Sequence, residues 1–181
     1  MLRRKVISIL AVLLVLSISS SVAFAGSIHL SGTSFSLGSL IEGGTLSGLG
    51  NTDVTVVLDA SGIPYVICTN QGGNQAPGQN PAKVNTRGSV PLLHTIYKNG
   101  SSPFSVETLP PDISNLTAVQ LGCANNNWTA SLPGWISWTN ATLSVYDAIT
   151  GVLLFQQNYI CTTTQTGIGS TDGKVSCTAT K

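Results

Sequence analysis

Charge is what this 181-residue chain is shortest of for its kind: Asp, Glu, Lys and Arg make up 8% of it, against about 25% in ordinary globular chains. Aromatic residues reach only 6%, and there are two histidines and one methionine. Beyond position 25 the basic residues are Lys83, Arg87, Lys98, Lys174 and Lys181, scattered rather than clustered. Without a basic patch the counterion release that drives nucleic-acid binding is missing, so nucleic acid is not an expected partner. No C-x-x-C or histidine spacing marks a metal site, and no G-x-S-x-G marks a serine nucleophile. The glycine-rich stretches lack the strand, helix and lysine of a phosphate cradle. Neither metal nor cofactor is expected.

A long apolar run is missing too. The stretch from Val6 to Leu16 is shorter than the about 20 residues that cross a bilayer. It follows Arg3, Arg4 and Lys5 and leads through small polar residues to Ala23-Phe24-Ala25, the order of a secretory signal with an A-x-A cleavage site. Residues 1–25 are therefore expected to be a signal peptide, and 26–181 a single secreted domain with no membrane span. Gly26 and Ser27 stand where a lipoprotein would carry cysteine. Three of the eight basic residues leave with the leader and all seven acidic ones stay, so the formal charge falls from +1 to −2.

Export changes what the four cysteines mean. Cys68, Cys123, Cys161 and Cys177 all lie beyond the leader, where an oxidising compartment permits disulfides. Four cysteines allow three connectivities. The preferred one pairs neighbours, Cys68 with Cys123 and Cys161 with Cys177.

Period-two alternation recurs between Gly, Pro, Asn and Ser clusters, with no helical stripe. Val54, Val56 and Leu58 alternate toward Asp59-Ala60-Ser61-Gly62, which predicts a turn, with Ile63, Tyr65 and Ile67 on the return strand. Pro64 would put that return strand at an edge or a bulge. Phe104, Val106 and Thr108 form a further run, and Leu143 with Val145 leads to a turn over 147–151. Val152 to Cys161 is the most apolar strand candidate, and 161–177 reads as a hairpin tied at its open end. Ile28, Leu30, Phe35 and Leu37 suggest early strands before breaks at Gly43-Gly44 and Gly48-Leu49-Gly50. Roughly seven to nine strands fit a two-sheet antiparallel β-sandwich, immunoglobulin-like or jelly-roll. Asn70 to Pro81 is read as one long irregular loop.

The run Gly48-Leu49-Gly50-Asn51-x-Asp53-Val54-x-Val56-x-Leu58-x-Ala60-x-Gly62, the stretch from Cys68 through Gly72-Gly73-Asn74-x-Ala76-Pro77-Gly78-Gln79-Asn80-Pro81, and Gly122-Cys123-x-Asn125-x-Asn127-Trp128 together resemble a group of small exported bacterial proteins of unknown function. The resemblance reaches about Val145 and implies no activity. It does imply that Cys68 and Cys123 travel together, with Cys161 and Cys177 as an addition.

Three functions compete. A secreted, non-catalytic cell-surface or matrix protein with a structural or adhesive role fits the sparse charge and the absent catalytic groups. It would assemble with itself if Ile28, Leu30, Phe35 and Leu37 act as a donor strand. A glycan-binding module would use the amides of Asn70, Asn74, Gln75, Gln79 and Asn80 with Trp128, Trp135 and Trp138. Trp135 and Trp138, three apart, face opposite sides of a regular strand and share a face only across a bulge. A secreted hydrolase would need paired carboxylates, with Glu107, Asp112 and Asp147 as candidates. His29 and His94 have no acidic neighbour in sequence. Four N-x-S/T triplets, at Asn99, Asn115, Asn127 and Asn140, follow from the Ser/Thr/Asn-rich composition.

Overall fold

The computed structural model describes residues 27–36, 39–165 and 173–180. Residues 1–26, with the expected signal peptide, 37–38, with Leu37 of the expected donor strand, 166–172 and 181 lie outside them. The chain is all-β and forms a disulfide-braced sandwich of antiparallel strands. One sheet has the order β1 (His29–Ser36), β2 (Ile41–Ser47), β7 (Ser101–Glu107). The facing sheet runs β11 (Gly173–Ala179), β10 (Leu153–Gln165), β9 (Ile136–Asp147), β3 (Val54–Pro64), β6 (Val84–Leu92). A small third sheet is made of β5 (Gln75–Pro77), β4 (Ile67–Thr69) and β8 (Thr129–Ser131). A short 3-10 turn spans His94–Ile96.

Alternation explains the main core. Val54, Val56, Leu58 and Ala60 on β3, Leu143 and Val145 on β9, and Leu46, Phe104 and Val106 on the opposite sheet are all buried together. Removing such side chains from water is worth about 1.5–3 kcal/mol each, the main favourable term in a chain with only 8% charged residues.

The turn expected over 59–62 does not form. β3 continues through it, pairing Asp59 with Arg87 of β6 and with Thr142 of β9, because Ala60 and Gly62 keep the inward alternation that Val54, Val56 and Leu58 begin. Gly62 is needed there for a steric reason: a Cβ would come within 2.5 Å of Ile136 Cγ2. Pro64 is tolerated because it ends the strand, two residues past the last β6 pair, Gly62 with Val84. Gly43 and Gly44 likewise do not break the chain; they lie within β2.

The bulge sits in β9. Ser61 pairs with Asn140 and Gly62 with Trp138, leaving Thr139 as the extra residue. Buried positions accordingly switch from 141, 143 and 145 to 136 and 138, and Trp138 turns into the core. Thr163 Oγ1 accepts the Trp138 N–H at 2.9 Å where the ladder to β10 has ended.

Both preferred disulfides are present. Cys68–Cys123 clamps the second core, where Val66 and Leu121 are buried with the two half-cystines and Trp128 packs alongside. Cys161 and Cys177 face each other across β10 and β11, two pairs inside the open end, since the ladder continues to Tyr159 and Ala179. The apolar character of 152–161 is not core: Leu153 and Ile160 are exposed, and only Tyr159 and Cys161 are buried among the β10 residues described. Asn70 to Pro81 is not one loop either, for β4 and β5 make a hairpin of it. Disulfides fit an oxidising, extracellular-type environment. No described helix is long and apolar enough to cross a membrane.

Candidate functional site

Asn70 opens the β4–β5 turn by accepting the Asn74 N–H on its Oδ1 at 2.9 Å, with Gly73 N–H donating to the Asn70 carbonyl. This is the way an Asx residue substitutes its side chain for backbone in a turn. Downstream, Gly78 N–H donates to the Val66 carbonyl and Gln79 N–H to that of Gly122, at 2.9 and 2.8 Å. The first bond closes the stretch 66–79 on itself, and the second, with the Cys68–Cys123 bridge, sews it to 121–128.

A cleft opens where they meet. It holds about 230 Å³ and is lined by Asn70, Gln71, Gly72, Asn125, Asn127 and Trp128. Trp128 also borders a second hollow of 470 Å³ lined by the disulfide and by Gln79. Asn125 Oδ1 accepts the Asn127 N–H at 2.9 Å. The oxygens of Asn70 and Asn125 are thus committed to backbone, and their Nδ2 donors are left for an outside acceptor. No charged side chain lines either hollow. Such a surface offers an aromatic ring flanked by neutral amide donors and acceptors.

Of the residues named for glycan contact, Asn70 and Trp128 share the smaller cleft, and Gln79 joins Trp128 in the larger hollow. Asn74 holds the turn, Gln75 is exposed on β5, and Asn80 is exposed with φ 49°. Trp135 and Trp138 do not join Trp128 in one platform. Trp138 is 1% exposed, and Trp135 stacks on Tyr65 with ring centroids 5.0 Å apart; both line a separate cleft of about 340 Å³. Gln71, Asn125 and Asn127 were not among the expected contacts. Their signal was faint, since only the hydrogen bonds across the 66–79 and 121–128 segments bring them to Asn70.

Two of the three candidate carboxylates serve their own turns. Asp147 accepts the N–H groups of Thr150 and Ile149 at 2.7 and 2.9 Å, and the Thr150 bond above all holds its carboxyl below the usual range. Asp112 accepts the Ser114 N–H, with the same effect. Glu107 is exposed at the end of β7. None of the three lines the Trp128 or Trp135–Trp138 clefts.

His94 does have an acidic partner, from 41 residues away. Asp53 Oδ1 lies 2.6 Å from His94 Nδ1 and accepts the His94 backbone N–H at 2.7 Å. The backbone bond, then the ring, hold the Asp53 carboxyl below its ordinary range. The two contacts tie Asp53 to the first residue of the 3-10 turn. His29 is exposed on β1. All four N-x-S/T asparagines are exposed as well.

Among the described residues one carboxyl is wholly buried. Glu42 on β2 lies between Phe35 of β1 and Val106 of β7. Burial pushes it up to about 7, opposed in part by the Tyr159 hydroxyl from the facing sheet. Neither Glu42 oxygen nor Tyr159 Oη closes a hydrogen bond of ordinary geometry.

No family model matches the chain, and no curated protein does. Among solved structures it is similar to the crystal structure of Bacteroides uniformis beta-glucuronidase, at 14% identity and a TM-score of 0.28. That likeness covers 76% of this chain and 13% of the other, too distant to carry an argument about function.

Proposed function

We propose that the protein is a non-catalytic, exported cell-surface module with an adhesive or structural role, which holds uncharged glycans at the Trp128 cleft. One observation supports this above the rest: Asn70, Gln71, Asn125 and Asn127 surround Trp128 in a single hollow with no charged side chain. A tryptophan ring packs on the apolar face of a sugar, while amides donate to and accept from its hydroxyls. A neutral, polar lining suits a neutral, polar polymer. The scarcity of charge over the whole chain also lowers the repulsion between neighbouring copies on a crowded surface. The resemblance to small exported bacterial proteins agrees with the compartment and adds no activity.

The test is a glycan array probed with the mature domain and with Trp128→Ala and Asn125→Ala. Wild type should bind a neutral glycan, with affinity falling about tenfold or more in Trp128→Ala. Absence of wild-type binding to every glycan would sink the proposal.

A second reading concerns β1. It is an edge strand paired on one side, to β2, and six of its eight residues are exposed, the profile of a strand that can be lent to another copy. Filaments or dimers formed by the purified domain, and lost when residues 27–36 are deleted, would support self-assembly; a monomer at all concentrations would remove it.

A further inference from the structure

Exposed apolar side chains gather at one end of the sandwich. Leu93, Ile96, Ile149, Val152 and Leu153 are five of the nine large hydrophobic residues exposed among the described residues, and Ile149 is 86% exposed. The register puts them together, for Val54 at the start of β3 pairs with Leu92 on one side and with Asp147 on the other. The 3-10 turn after Leu92 and the tight turn after Asp147 therefore flank the same strand end. Asp53 ties both: its carbonyl accepts the Ala148 N–H at 2.9 Å and its carboxylate accepts the His94 N–H at 2.7 Å. Tyr97 Oη lies 3.0 Å from the carbonyls of Thr52 and Leu92 and fixes the 3-10 turn further. Single exposed hydrophobic residues are ordinary, but a group of them on pinned turns marks contact with something apolar. Of the remaining four, Ile63 stands at the far end of β3 and Leu109 beyond the far end of β7.

The chain enters the domain at this same end. His29 pairs with Ser47, just before the 48–53 loop, and a Cβ on Gly48 would meet the Ser27 carbonyl oxygen at 2.5 Å. Residues 17–26 alone separate Ser27 from the apolar run Val6 to Leu16, and an extended chain of that length reaches at most about 35 Å. While the leader is attached, a bilayer that holds its apolar run lies beside the end that carries the five apolar tips. We propose that this end docks on a lipid bilayer surface, with Ile149 as the leading tip, and keeps the domain on the outer face of the membrane once the leader is removed. The inference rests on the reading of the protein as an exported surface module, and it says how the module is held there. A second copy suits the tips less well. Together they expose about three residues' worth of apolar surface, less than the about 800 Å² that each partner gives up in a standard protein interface. Charge at this end is sparse and mixed: Asp53 is paired with His94, Asp147 accepts the N–H groups of its own turn, and Lys98 and His29 are exposed. Burial of apolar side chains, rather than attraction to charged headgroups, is then the term that holds the domain down.

The experiment is co-sedimentation of the mature domain with vesicles of phosphatidylcholine alone and of phosphatidylcholine mixed with phosphatidylglycerol, at low and at high salt. Binding to both vesicles is expected, little changed by salt. Ile149→Asp, an exposed change whose unfolding curve shows the fold intact, should weaken it about tenfold or more. Leu109→Asp, which changes an exposed apolar residue at the opposite end, should leave it unchanged. Trp128→Ala should also leave it unchanged, so this result and that of the glycan array stand or fall separately. No binding to either vesicle, binding to the phosphatidylglycerol mixture only and at low salt only, full binding by Ile149→Asp, or an equal loss in Leu109→Asp would each overturn the proposal. A dimer of the wild-type domain that Ile149→Asp abolishes would overturn it too, since a second copy would then cover the tips.

Discussion

Glu42 is the residue whose placement departs most from ordinary practice, since a carboxyl with no exposed surface lies against Phe35, Val106 and Tyr159. Its folded-state value, pushed up from 4.5 to about 7, fixes a sign. Below about pH 4.5 both folded and unfolded chains keep the proton and nothing is lost. As pH rises toward about 7 the unfolded chain releases a proton that the folded chain retains, so stability falls, by about 3 kcal/mol when the change is complete. Glu42→Gln should therefore be more stable than wild type at about pH 8 and close to it at about pH 4, as chemical denaturation at the two pH values would show. Asp53 has the opposite sign. Its carboxyl is held low by His94, so its contribution is present near neutrality and lost as acid protonates it. Asp53→Asn should lower the melting temperature slightly near neutral pH, and the difference should vanish in acid.

Among the elements, the corner where β6 meets β7 is the tightest. A Cβ on Gly88 would fall 1.8 Å from the Glu107 carbonyl oxygen, and Thr86 Oγ1 donates to the Leu109 carbonyl while Leu109 N–H donates to that of Arg87. Gly88→Ala should cost about 3 kcal/mol or more by forcing the strands apart, measured by equilibrium unfolding. The elements themselves were largely legible. Alternation gave β7 and the inner half of β9 away directly, and cysteine spacing left a pairing preference that the bridges match. What alternation could not reveal was continuity: Asp59-Ala60-Ser61-Gly62 has the composition of a turn, yet neighbours on both sides hold it as strand. Nor could it locate the Thr139 bulge, which depends on the register against Ser61 and Gly62 and decides that Trp138 points inward. Partners distant in sequence were equally hidden, as the Asp53–His94 contact and the gathering of Asn125 and Asn127 beside Asn70 illustrate.

For the whole molecule, a sandwich carries a smaller disulfide-clamped sheet at one side, and the amide-lined cleft belongs to that smaller unit rather than to the main core. Asp112 and Asp147 are taken up by their own turns, whereas neutral amides and one tryptophan are gathered at the cleft. The glycan array with wild type and Trp128→Ala tests this division most directly. Binding of a neutral glycan by wild type, reduced about tenfold by Trp128→Ala with the fold unchanged, is the expected result; a wild-type domain that binds no glycan, or a Trp128→Ala domain that binds as well as wild type, would contradict it.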